Sequence, residues 1–170
     1  LAHGFAWIAT YVESLKQILE WAKRLDNESQ FGEVENLVLQ IAFGEYISQL
    51  KGGIQMSSSE FIRINDFALK KPELDGLNCK TISILCKVGN SDGAKKTLVS
   101  FLKHRLELPS FAQSGLDAEH DEIRNQFFRY SREKISPDAH KWHLENKLIP
   151  CSIIKELSEL GVFSLTIPEK

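Results

Sequence analysis

No cysteine pair in this sequence has the spacing of a zinc or redox motif: Cys79 and Cys86 are seven apart, and Cys151 is far from both. That pattern fits small buried thiols in a reducing compartment rather than a disulfide framework. A long apolar run is also missing. No stretch is long enough to span a bilayer, and residues 1–25 mix charges with apolar positions where a signal peptide would have a continuous apolar core. These two absences lead to the expectation of a cytosolic protein with no membrane partner. A large net charge is lacking as well; the formal value of -2 argues against a general nucleic-acid binder. The balance is uneven along the chain, with 3 basic and 7 acidic side chains in residues 1–50 but 10 basic and 6 acidic in residues 51–110. A solvated helix face explains this as well as an anionic ligand does.

Helical periodicity dominates what is present. In FAWIATYVESLKQILEWAKRL, Phe5, Ile8, Val12, Leu15, Leu19 and Ala22 recur at intervals of three and four, which predicts one apolar stripe on a helix. After the polar break DNES a second stripe follows in Phe31, Val34, Leu37, Val38, Ile41 and Leu50, so an antiparallel helical hairpin is expected, ended by Gly52 and Gly53. In MSSSEFIRINDFAL, Ser57 and Glu60 have capping-box spacing, and Met56 and Phe61 are placed as a hydrophobic staple, so a further helix is expected to start at Ser57. LNCKTISILCKVGN fits strand and helix about equally; helix is preferred because an isolated strand leaves its backbone groups unpartnered. A basic-faced helix is expected from Asp92 to Leu106.

The aperiodic LPSFAQSGLD, with Pro109 and Gly115, reads as a boundary. Beyond it, Asp117 is placed to cap a helix with an acidic first turn and a basic end, and Ser136 with Pro137 reads as the start of another. Apolar residues then recur from Ile153 through Leu157 to Leu160. The fold class expected is all-α, about eight helices in two parts: a helical bundle at 1–108, a linker at 109–117, and a second helical segment at 118–170. Both ends read as cut from a longer polypeptide.

Candidate chemistry is sparse. His140 and His143 share a helix face but lack a third ligand of convincing spacing, and His104 and His120 have no neighbours suited to general-base work. Gly52-Gly53 and GNSDG have neither the lysine-hydroxyl spacing of a phosphate loop nor the glycine spacing of a dinucleotide fold. Trp7, Trp21 and Trp142 lie on amphipathic helices, where packing rather than cofactor stacking is the default. Accordingly no catalytic, cofactor-binding or metal residue is named from the sequence.

Residues 121–170 resemble the amino-terminal segment of the acyl-CoA dehydrogenases. The likeness is carried by Arg124 with Phe127 and Phe128, by Pro137, Trp142 and Pro150, and by the ending ELGVFSLTIPEK, which in that family continues into a tyrosine and two glycines. The first 110 residues lie outside the ordinary family pattern. FAWIATYVESL and QIAFGEYISQLKGGIQMS resemble the helical extension of a member acting on a branched dicarboxylic thioester. The resemblance implies a parent flavoprotein that uses FAD to remove two hydrogens from an acyl-CoA thioester and passes electrons to an electron-transfer flavoprotein. It also implies that the glutamate base and the flavin contacts belong to later parts of the enzyme. This chain, as the start of the family's amino-terminal α-domain behind a helical extension, is then expected to be inactive alone and to hold no cofactor. Its expected partners are the remainder of the enzyme and further copies of itself. The alternative is a stand-alone helical interaction or dimerisation module.

Overall fold

The computed structural model describes residues 1–70, 74–106, 108, 110–164 and 167; Pro109, Leu165 and Pro168 of the readings above lie outside them. The chain forms two compact units, Leu1–Gly115 and Leu116–Lys170. The fold is all-α apart from one small hairpin among the described residues.

In the first unit α1 (Ala2–Asn27) and α2 (Glu33–Gly52) run antiparallel, with Tyr11 opposite Gln49 and Leu15 in one apolar cluster with Ile47. The face of α1 that packs inward is Gly4, Ile8, Tyr11, Leu15, Ile18, Ala22 and Leu25, all buried or half-buried. This differs from the expected stripe, because Phe5, Val12 and Leu19 are 61%, 54% and 39% exposed. Two apolar rows lie side by side on α1, and α2 covers one of them together with the row beyond it. Tyr11 helps to select that face: its hydroxyl donates to Gln49 Oε1 at 2.7 Å and its ring stacks on Tyr46 at 4.6 Å.

The helix expected at Ser57 is absent. Instead β1 (Ile54–Gln55) pairs antiparallel with β2 (Phe61–Ile62), with Ile54 opposite Ile62 and Gln55 opposite Phe61. Ser57 Oγ does accept from the Glu60 N–H at 3.1 Å, but here that bond closes a turn, and the Met56 N–H donates to the Glu60 carbonyl at 2.9 Å. A serine oxygen bonded to the amide three residues on suits a helix cap and a turn alike. The pairing carries both isoleucines into the core: Ile54 and Ile62 are 1% and 5% exposed, in one cluster with Leu15, Ile47 and Leu50. Met56 packs against this core, and the expected staple does not form, because Phe61 faces outward under the Arg63 guanidinium.

LNCKTISILCKVGN does form a helix, α3 (Lys80–Gly89), followed by α4 (Asp92–Leu102), whose first turn is capped by Ser91 Oγ accepting from the Ala94 N–H at 3.2 Å. The α4 helix ends before the expected Leu106, in turns where His104 and Arg105 donate to the Phe101 and Leu102 carbonyls. In the turn between α3 and α4, Asn90 Nδ2 donates to the Gly44 carbonyl and to Ser48 Oγ, tying the turn to α2.

In the second unit α5 (Ala118–Tyr130) starts at Asp117, whose carboxylate accepts from the His120 N–H at 2.9 Å. A π-helical turn at Ser131–Ile135 then leads without a break into α6 (Ser136–Leu144). Ser136 therefore does not act as a cap; its φ of -56° and ψ of -37° are helical. Pro137 lacks the N–H for a helical bond and its ring crowds the preceding turn, so the widened π turn just upstream accommodates it without ending the helix. Pro150 opens α7 (Cys151–Glu159), its carbonyl accepting from the Ile153 N–H at 3.0 Å. Gly161, at φ 76°, ends it in the left-handed conformation that glycine adopts without strain.

Candidate functional site

The π turn and α6 present Ile135, Ala139, Trp142 and His143 to one side of a cleft; Lys147 and Ile149 of the following loop and Ile153 and Leu157 of α7 complete it. Its volume is about 330 Å³. The lining is mostly aliphatic, with His143 and Lys147 as the polar members. Ile153 alone among these side chains is buried, at 8% exposure, while nearby in sequence Ile149, Ile154 and Phe163 are 57%, 42% and 56% exposed. Burying a side chain of this size is favourable by roughly 1.5 to 3 kcal/mol, so the unit carries a face suited to an apolar segment. Among the described residues that line it there is no nucleophile paired with a base.

Two polar contacts shape the same unit. The half-buried Tyr130 hydroxyl donates to Glu156 Oε2 at 3.2 Å, joining α5 to α7; desolvation, and after it this bond, raise the phenol pKa above its ordinary value. At the start of α5 the His120 ring meets Asp117 Oδ1 at 2.7 Å. The hydrogen bond to Asp117 raises the His120 pKa, and the backbone bond from His120, followed by its ring, lowers that of Asp117.

The residues singled out from the sequence fall into separate places. His143 lines the cleft while His140 is exposed on the same helix, and among the described residues no group of three or more His, Cys, Asp or Glu is arranged to hold a metal. Trp7 donates from Nε1 to His3 and meets Tyr11 edge-on. Trp21 donates to the Gln113 carbonyl at 3.0 Å, and Trp142 forms a wall of the cleft. Gly53, at φ 114°, turns the chain from α2 into β1. Cys86 is half-buried, whereas Cys79 and Cys151 are exposed, contrary to the expectation of buried thiols.

Glu35 went unnoticed in the sequence. It is buried at 4% exposure, and its carboxylate accepts from the Gly32 N–H at 3.2 Å and the Gln113 N–H at 2.8 Å. With Trp21 on the Gln113 carbonyl and Arg24 Nε donating to the Gly115 carbonyl, it holds the 110–115 segment against α1 and α2. The available signal was an acid three residues into a helix start at Gly32.

A second cleft, of about 170 Å³, lies in the first unit, where Lys51, Asn65 and Asn78 meet Ile64, Leu74 and Leu77. None of the described helices is long and apolar enough to cross a membrane.

Residues 117–170 match the family model described as acyl-CoA dehydrogenase, N-terminal domain. Over 169 residues, 99% of this chain, the sequence is 45% identical to the (2S)-methylsuccinyl-CoA dehydrogenase of Cereibacter sphaeroides. The chain covers 30% of that relative's length, and the aligned region spans both units.

Proposed function

We propose that this chain is the amino-terminal part of a flavin-dependent acyl-CoA dehydrogenase, on the match of residues 117–170 to the N-terminal-domain model of that family. The observation that carries this reading is the 45% identity running through both units, since a match confined to the second would leave the helical extension unexplained. The apolar cleft between α6 and α7 supports it, as a face on which further helices of the same enzyme would pack. The substrate class proposed is the CoA thioester of a branched dicarboxylic acid, methylsuccinyl-CoA by the likeness to the relative. The reaction is removal of two hydrogens from its α and β carbons, with electrons passed to an electron-transfer flavoprotein, in a cytosolic homo-oligomer.

The clefts of the described residues support a parent enzyme that holds FAD elsewhere. The larger is mostly aliphatic, with His143 and Lys147 as its polar members. Flavin and catalytic base are therefore assigned to the remainder of the enzyme, and these 170 residues to packing and assembly.

The test is to express the polypeptide encoded by the whole reading frame and to assay it with methylsuccinyl-CoA and an artificial electron acceptor. Flavin absorbance near one equivalent and acceptor reduction are expected, with neither in residues 1–170 alone. A reading frame that stops after Lys170, or a full polypeptide without flavin, would return the chain to the class of stand-alone interaction modules. Stoichiometric flavin on residues 1–170 would refute the assignment of the cofactor.

A further inference from the structure

The cleft of about 170 Å³ in the first unit has no part in the reading above. We propose that it binds a short aliphatic carboxylate, with Lys51 facing the charge and Ile64, Leu74 and Leu77 taking the hydrocarbon body.

Three pieces of chain build the cleft. The last turn of α2 brings Lys51, the tight turn Ile64–Asp66 brings Ile64 and Asn65, and the stretch around the turn Gly76–Asn78 brings Leu74, Leu77 and Asn78. Burial divides these side chains by their chemistry. Ile64, Leu74 and Leu77 are half-buried, whereas Lys51, Asn65 and Asn78 are exposed, so the cleft has an aliphatic floor and a polar rim. Small-molecule sites have this makeup, with apolar surface for the body of the ligand and a few placed polar groups for its head.

The rim is free to bind. Among the described residues Lys51 has no carboxylate partner, and the side-chain amides of Asn65 and Asn78 have no hydrogen-bond partner. Asp66, the acid beside Asn65, is engaged by the Arg63 N–H at 2.7 Å and does not line the cleft. One cation and two amide donors therefore converge with no acid among the lining residues to answer them. A carboxylate matches that set, because it carries one charge and its two oxygens accept several hydrogen bonds. A phosphate group, at about -1.5 to -2, would be left only partly neutralised by one lysine. Inorganic phosphate would also leave the aliphatic floor uncovered. An apolar cavity of ~150 Å³ admits benzene, so the space here suits an acid of about four to six carbons. The inference rests on the first unit alone, independently of the enzymatic reading.

The test is an NMR titration of the isotope-labelled 170-residue chain with sodium butyrate at constant ionic strength, with butanamide and inorganic phosphate as comparison probes. Saturable shifts are expected at the Asn65 and Asn78 side-chain amides and at the Ile64 and Leu77 methyl groups, with half-saturation on the order of 1 mM. Lys51→Met keeps the stem of an exposed residue and removes its charge; it should weaken binding by about 10-fold or more, whereas Lys51→Arg should retain it. Butanamide has the same shape without the charge and should bind about 10-fold more weakly to the unaltered chain, a comparison that needs no variant to fold. No saturation by about 50 mM butyrate overturns the proposal. So do equal binding of butanamide, tighter binding of phosphate, and butyrate binding unaffected by Lys51→Met, since in each case the cleft does not recognise a carboxylate through Lys51.

Discussion

Gly89 rests directly on Gly44 where α3 crosses α2: a Cβ added at Gly44 would lie 2.9 Å from the Gly89 Cα, and one at Gly89 would meet the Gln40 carbonyl oxygen. The close approach also lets Asn90, one residue on, reach the Gly44 carbonyl at 3.1 Å and Ser48 Oγ at 2.8 Å.

Gly89→Ala is therefore expected to destabilise the first unit. Alanine is favoured over glycine in a helix interior by about 1 kcal/mol, but Gly89 is the last residue of α3, where little of that gain applies. Overpacking costs typically 1–3 kcal/mol, and the obstacle here is a backbone carbonyl that cannot swing aside. A net loss of about 2 kcal/mol in urea unfolding is expected, and a variant as stable as the parent would show that the two helices can separate freely.

Glu35→Gln should loosen the 110–115 segment. A neutral amide oxygen accepts more weakly than a carboxylate, and its NH₂ group would face the Gly32 or Gln113 N–H. Hydrogen bonds to charged groups contribute about 1.5–3 kcal/mol each, so most of one such bond should be lost. Chymotrypsin cleavage after Phe111 is the readout. Cleavage should be slow in the parent and clearly faster in the variant; equal rates would mean that Trp21 and Arg24 suffice to hold the segment.

The Asp117–His120 pair predicts a pH window for the first turn of α5. Asp117 titrates below its ordinary 3.8, so its stabilisation is complete above that value and is lost as pH falls through the lowered pKa. His120 titrates above its ordinary 6.5, so its contribution is complete below that value and is lost as pH rises through the raised pKa. The turn should be firmest between about 3.8 and 6.5. An NMR titration of the His120 ring checks this: Asp117→Asn, which keeps a capping oxygen but removes the charge, should bring the His120 pKa back down. An unchanged titration would show that the pair is not formed in solution.

Ile153→Ala tests the small core of the second unit. Truncating a buried isoleucine costs about 2–5 kcal/mol, and the lower end is expected where a cleft already adjoins the side chain and can collapse on it. Hydrogen exchange should quicken across α7 while α1 and α2 keep their protection. Loss of protection in both units together would mean that they unfold as one.

What the sequence determined by itself lies within reach of a few residues. Asp117 bonds the amide three residues on, and the apolar spacing marks α1, α2 and α7 as helices, because each of these follows from bonds or faces inside one element. Trp142 and Ile153 are legible in the same way as packing residues of the cleft. The rest depended on what each element meets. Ser57 and Glu60 make the same local bond in a helix cap and in a turn, and the antiparallel pairing of Ile54 with Ile62 in the core marks the hairpin. Two apolar rows on α1 are equal as periodicity, and only the stacking of Tyr11 on Tyr46 shows which row α2 covers. Glu35 became a buried clamp through a partner 78 positions away, and no local pattern encodes that distance. A hydrogen bond or an apolar face is written locally, whereas its use is chosen by burial, which is a property of the assembled chain.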